Sequence, residues 1–246
     1  MGLIKICGLK DPKNAKIAID EGTNLLGMIF VPNRSRTISI ESAQNIISLI
    51  PNKNNLSNNQ YGEKSIKDIY KDGQYGHDTD KILDEIDKYG PFVVGVFQNQ
   101  SIEEINNIVI QTGIDIVQLH GQEPRQEYIN KIKVPIITRY TLSSRDLNEL
   151  IESESFEYNQ GKRQLLTLFD SSTGGEGEQI NWNQVSQLKL NHKVLLAGGL
   201  TPENVKDAIN VINIAGVDVS SGVETEGEKD NLKIATFIRN GKIKYK

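Results

Sequence analysis

Eight short apolar runs spread along 246 residues, nearly all followed by a helical pattern, predict an α/β fold: a single (β/α)8 TIM barrel. Strand starts recur every 19 to 30 residues except across one polar stretch. The chain length matches one such barrel, about 250 residues. The last two strands end in turns of Gly and Ser, where barrels of this kind hold phosphates. The alternative is an open doubly wound sheet. It would place a GxGxxG turn after the first strand, and Cys7-Gly8-Leu9-Lys10-Asp11 is not that turn.

The first strand is Leu3 to Cys7, ended by Gly8. Asp11-Pro12 starts a helix that runs to about Gly22. Leu25 to Val31 is almost continuously apolar, as expected of a parallel strand covered on both faces, and Pro32 stops it. A loop with Arg34 and Arg36 leads to a helix over 40–50. Residues 51–91 break the rhythm. They are rich in Asn, Lys, Asp, Gly and Tyr, and read as a polar, partly disordered insertion with one short helix near its end and no functional weight.

The rhythm resumes with a strand over Phe92 to Phe97 and a helix capped by Ser101, with Glu104 placed for a capping box. Strands follow at Asp115 to Leu119, Val134 to Tyr140 and Gln164 to Phe169, the first two trailed by helices from Pro124 and Ser143. After Asp170 comes a long glycine-rich loop over 171–180, with Gly174, Gly175 and Gly177, that reads as a mobile lid. The seventh and eighth strands open at Val194 and Gly216, and a final helix spans Asp230 to Asn240.

Composition narrows the function. Hydrophobic residues make up 37% and charged residues 24%, which describes a soluble globular domain. A net charge of -4 without a long basic run argues against nucleic-acid and anionic-membrane surfaces. No apolar run is long enough to span a bilayer, and the N-terminus lacks the layout of a secretory signal. The single cysteine, Cys7, excludes an intrachain disulfide. A cytoplasmic enzyme acting on a small molecule, as a monomer or weak homodimer, is the expectation.

The stretch from Lys193 to Glu224 carries the strongest local signal. The apolar run to Ala197 is followed by Gly198-Gly199, then by Thr201-Pro202-Glu203, which reads as a helix start with Thr as cap and Pro at the first position. The next strand ends in Ser220-Ser221-Gly222. Two neighbouring turns of small residues bring bare backbone N–H groups together, and a helix N-terminus adds partial positive charge, so together they suit a phosphate.

Functional groups of a barrel sit at the C-terminal ends of its strands. Those ends supply Cys7, Arg36, Gln118, His120, Arg139, Asp170 and Asp218. Strands one and six lie three apart around the ring, counted through eight and seven. Cys7 and Asp170 therefore face each other across the mouth with the phosphate turns between them, an arrangement for base and acid on opposite faces of one substrate. Each has a plainer reading: Cys7 as a packed small side chain, Asp170 as a turn cap, His120 as a structural donor, Arg36 as a solvated cation, Asp218 as part of a polar layer.

Seven collinear segments add a resemblance: KICGLK (5–10), GMIFVPNRSRTI (27–38), VGVFQNQ (94–100), DIVQLHGQE (115–123), LFDSSTGGEGEQINW (168–182), LLAGGLTPENV (195–205) and GVDVSSGVET (216–225). Together they resemble the phosphoribosylanthranilate isomerases, barrel enzymes of tryptophan biosynthesis. The resemblance implies an aldose-to-ketose (Amadori) rearrangement of a phosphoribosyl substrate without cofactor or metal. It implies Asp170 as the acid that protonates the ring oxygen, Cys7 as the base that takes the C2 proton, and Arg36 on the anthranilate carboxylate. Gly198, Gly199, Ser220, Ser221 and Gly222 match the phosphate cradle, and Gln118, His120 and Asp218 match substrate-facing positions of the mouth. Arg34-Ser35 stands where the family more often has Ser-Pro. A thiol base needs a lowered pKa, and Lys5, two residues earlier on the same strand face, is the candidate helper.

Overall fold

β1 (Leu3–Ile6) and β8 (Ile214–Val219) pair in parallel, and that pairing closes the sheet. Between them run β2 (Leu25–Ile29), β3 (Phe92–Phe97), β4 (Ile116–Leu119), β5 (Ile136–Tyr140), β6 (Gln164–Phe169) and β7 (Val194–Leu196), each paired with its neighbours in chain order. The computed structural model describes residues 2–51, 79–157, 164–171, 179–190, 192–211 and 213–242. Closure of all eight strands excludes the open sheet.

The outer helices are α1 (Pro12–Asp20), α2 (Ile40–Ile47), α3 (Thr79–Tyr89), α4 (Ile102–Thr112), α5 (Arg125–Lys131), α6 (Ser144–Glu157), α7 (Trp182–Gln187), α8 (Val205–Ala208) and α9 (Asn231–Gly241). Local chemistry starts them. Asp11 accepts from the Lys13 amide at 2.8 Å and Pro12 takes the first turn of α1. Ser101 Oγ accepts from the Glu104 amide at 3.2 Å, while the Glu104 carboxylate is bonded to the side-chain amide of Gln100. Asp230 takes the Leu232 and Lys233 amides of α9. β5 begins at Ile136 rather than Val134, because Pro135 has no N–H for the ladder.

One difference from expectation bears on the site. The helix after β7 does not start at Thr201. Residues 202–204 form a turn, and α8 is four residues long with Asn204 at its cap. Asn204 is what holds the turn: its Oδ1 accepts from Thr201 N (2.8 Å) and its Nδ2 donates to Gly199 O (2.9 Å). The polar stretch ends, as expected, in a short helix. Residues 52–78 lie outside the described residues, but 79–89 are the helix α3, and its Ile82, Leu83 and Ile86 are buried. They join Leu3, Leu25, Phe92, Val94, Ile116, Ile137 and Leu195 in one apolar cluster. The helix therefore closes the bottom of the barrel, where it also takes Asn24 Nδ2 on Asp87 (2.9 Å) and Lys193 on Asp80.

Strand residues alternate between the barrel interior and the helix layer. The interior set begins with Leu3, Leu25, Ile116, Ile137, Leu168 and Leu195 at the bottom and middle. The helix-facing set, including Ile4, Ile6, Leu26, Met28, Val117, Leu119 and Val217, packs against Ala15, Ala18, Ile46, Ile105, Val109, Ile234 and Phe237. The same alternation, carried two to four residues further up each strand, decides which polar side chains reach the mouth.

Candidate active site

Counting upward by two from the apolar interior leads through Lys5 to Cys7 on β1, to Gln118 and His120 on β4, to Arg139 on β5, to Asp170 on β6 and to Asp218 on β8. One cavity of about 300 Å³ at the C-terminal end of the barrel is lined by all of these except Lys5, which lies beneath them. Arg36, Gly198, Gly199, Ser220, Ser221 and Gly222 line it too. The acid, base, substrate-facing and small-turn residues that the sequence singled out are therefore brought to one place. The lid glycines Gly174, Gly175 and Gly177 lie outside the described residues.

At the floor, Lys5 is fully buried and its Nζ donates to Asp218 Oδ1 at 3.0 Å. Register explains the pair, since Lys5 and Asp218 are Cα partners on adjacent strands. Burial works to lower the pKa of the ammonium, but Asp218 and Cys7 outweigh it and raise the pKa above its ordinary value. Lys5 therefore stays charged. It does not activate the thiol outright. Burial pushes the Cys7 thiol up, Lys5 and Lys229 pull it back only in part, and Asp218 adds repulsion. Lys5 does lower the thiol pKa, as expected of a helper, but burial outweighs it and the Lys5 charge is shared with Asp218.

Across the mouth, Asp170 is 5% exposed. Its Oδ1 accepts from the Ser171 amide at 2.8 Å, and Oδ2 lies 3.7 Å from Arg139 Nε and 3.9 Å from His120 Nε2. Burial raises its pKa to about 6, against the pull of Arg139 and with help from Asp218. It is thus a carboxyl that keeps a proton into the range where a general acid works. His120 is neutral. Loss of water around the ring, with Arg139, Lys5 and Arg34 nearby, lowers its pKa to about 3. Gln118 Nε2 lies 3.3 Å from His120 Nδ1. If that contact is the amide donating, the ring proton sits on Nε2, facing Asp170. Gln118 Oε1 is buried with no hydrogen-bond partner among the described residues.

Between acid and thiol lie the two small-residue turns. Gly198 and Gly199 have φ of 85° and 65°, left-handed values that turn the backbone sharply after β7. Gly222 is the middle residue of a 3-10 turn (Ser221–Val223), and a Cβ there would come within 1.8 Å of Leu200 O. The two loops thus approach at backbone contact, which only glycine allows. The helix α8 is short and starts beyond these turns.

Arg36 is anchored more firmly than expected. Its Nε and Nη2 donate to Glu224 Oε1 and Oε2 at 2.7 and 2.9 Å. Glu224 opens a small hairpin, β9 (Glu224–Thr225) and β10 (Glu228–Lys229). Lys229 Nζ donates to Glu224 Oε1 and to Ser220 O, both at 2.8 Å. Sequence reasoning gave no role to Glu224 or Lys229. Glu224 ends the SSGVE segment and was within reach of a reading by position; Lys229, in a polar loop, carried no signal.

A profile of the family described as N-(5'phosphoribosyl)anthranilate (PRA) isomerase matches residues 76–240. The N-(5'-phosphoribosyl)anthranilate isomerase of Wickerhamomyces anomalus is 46% identical over 241 residues, covering 97% of this chain and 98% of the relative. The crystal structure of phosphoribosyl anthranilate isomerase from Thermotoga maritima superposes with a TM-score of 0.72 at 29% identity, covering 98% of this chain and 99% of that one. A further solved phosphoribosyl anthranilate isomerase, in complex with reduced 1-(o-carboxyphenylamino)-1-deoxyribulose 5-phosphate, superposes at 0.69 with 28% identity and covers 98% and 99% of the two chains. With the barrel, the mouth and these likenesses together, the chain belongs to the N-(5'-phosphoribosyl)anthranilate isomerase family.

Proposed function

We propose that the chain isomerises N-(5'-phosphoribosyl)anthranilate to 1-(2-carboxyphenylamino)-1-deoxyribulose 5-phosphate in tryptophan biosynthesis, with Asp170 as acid and Cys7 as base. The observation that carries the assignment of roles is the pairing of a carboxyl with a pKa of about 6 and a thiol on opposite sides of a glycine-lined cradle. Asp170 gives its proton to the furanose ring oxygen, the C1–O bond breaks, and the anthranilate nitrogen lone pair forms the Schiff base. Ionised Cys7 then removes the C2 proton. The C2–H electron pair becomes the C1–C2 double bond, and the nitrogen recovers its lone pair. Tautomerisation of that enol-amine yields the ketose.

The other groups bind. Gly198, Gly199, Ser220, Ser221 and Gly222 take the phosphate on backbone N–H groups and hydroxyls. Arg36 takes the anthranilate carboxylate. The orphan Gln118 Oε1 accepts from a ribose hydroxyl, His120 stands beside the acid, and Asp218 fixes Lys5 under the thiol. Because Cys7 rests protonated, its ionisation depends on the bound complex.

A reduced thiol base goes with a cytoplasmic location. We also hold the chain to be a monomer or weak homodimer: its large exposed apolar side chains among the described residues, Ile110, Ile151 and Leu232, sit on three separate helices. Sedimentation at micromolar concentration tests this, and a tight dimer would overturn it. The roles are tested by the loss of anthranilate-type fluorescence from freshly made phosphoribosylanthranilate in buffer with EDTA. The wild type should turn over, and Cys7→Ala should lose a factor of about 10² to 10⁴ while still binding the reduced product analogue. Near-wild-type turnover by Cys7→Ala would remove it as the base.

A further inference from the structure

Arg36 presents five N–H donors, and a carboxylate can dock on either of two edges of its guanidinium. Glu224 already holds one edge, through Nε and Nη2. We propose that Glu224 is a positioning residue: it grips the side of the Arg36 guanidinium and leaves the end fork, Nη1 and Nη2, turned to the carboxylate of the substrate. This rests on the reading that Arg36 receives that carboxylate.

Three observations carry it. The stem of Arg36 crosses the first loop at Gly8, where a Cβ would lie 2.8 Å from Arg36 Cδ, so stem and head are both held. Glu224 is itself fixed, since Lys229 Nζ donates to Oε1 at 2.8 Å and Lys233 Nζ donates to its backbone carbonyl at 2.6 Å. Lys229 in turn is bonded to Ser220 O, so the clamp is tied to the phosphate turn. The Lys229 side chain is 3% exposed and that of Glu224 8%, which marks a built network rather than a surface ion pair. Arg36, Glu224 and Lys229 together carry one net positive charge, so a further anion is still attracted after Glu224 has bound. A flexible arginine would lose side-chain entropy on gripping its ligand; this one has lost it on folding.

The test compares two substrates, phosphoribosylanthranilate and the analogue made with aniline, which lacks the carboxylate. The wild type should prefer the first in kcat/KM. Glu224→Gln should weaken kcat/KM for the anthranilate substrate by roughly ten- to hundredfold, mainly through KM, and leave the aniline substrate within about twofold. Glu224→Asp, which keeps the charge on a shorter stem, should recover part of the loss. Equal losses on both substrates would make Glu224 merely structural and overturn the proposal. An increased preference in Glu224→Gln would also overturn it, because Glu224 would then be a competitor of the substrate. Absence of any preference in the wild type would instead sink the Arg36 assignment, and the proposal with it. Should Glu224→Gln not fold, Glu224→Asp decides on the same pair: a loss confined to the anthranilate substrate supports the proposal, and no loss or an equal loss refutes it.

Discussion

Asp170→Asn separates the chemistry of the acid from its effect on the fold. The substitution keeps Oδ1 as acceptor for the Ser171 amide, now at 2.8 Å, so the loop after β6 retains its anchor. It removes the proton that the reaction needs, and turnover should fall by about 10² to 10⁴. Stability should move the other way. In the native protein the Asp170 pKa is about 6 against an ordinary 3.8. Between those values the folded chain holds a proton that the unfolded chain has lost, so native stability falls as pH rises through that window. The full loss is about 3 kcal/mol once the pH is well above 6. Asparagine does not titrate. The variant should therefore gain on the wild type between about pH 4 and pH 7.5 by most of that amount. Urea melts at several pH values measure this, and the fluorescence assay measures turnover. Stability curves for the two proteins that run parallel with pH would refute the raised pKa. Near-wild-type turnover in the variant would refute Asp170 as the acid.

The pH profile of kcat/KM should be bell-shaped, with its acid limb near 6 and its alkaline limb above the ordinary thiol range, where burial holds Cys7. An acid limb near the ordinary carboxylate value would contradict the buried state of Asp170. Gly222→Ala should raise the inhibition constant of inorganic phosphate at least about tenfold, because a Cβ at 1.8 Å from Leu200 O forces the two cradle loops apart; unchanged phosphate inhibition would move the cradle elsewhere. Asp218→Asn should cost about 3–5 kcal/mol, read as a lower urea midpoint, since it leaves the fully buried Lys5 without its counter-charge. A loss under about 1 kcal/mol would mean that Lys5 can give up its proton at little cost.

The strands and most helices are legible in the chain because their causes are local. Phe92–Phe97 and Gln164–Phe169 are where their apolar runs place them, and Asp11-Pro12 and Ser101 start α1 and α4 as read. Position at a strand end was enough to collect Cys7, Gln118, His120, Asp170 and Asp218, since alternation along a strand is itself a local property. The helix start at Thr201 misled because Asn204, not Thr201, organises that turn through bonds back to Gly199. The helix at 79–89 was legible, but its packing was not, because its three buried apolar residues make sense only against the open bottom of a barrel.

Sequence pattern alone thus settles the number of βα units, the alternation that aims side chains into the mouth, and the paired glycine turns at its rim. Closure of the barrel settles how the charges pair. Lys5 meets Asp218 across 213 positions of chain and Arg36 meets Glu224 across 188. No periodicity or spacing encodes those meetings, because a charge has no local signature of its partner. They follow from β1 lying beside β8, and with them come the resting protonation of Cys7 and the aim of Arg36.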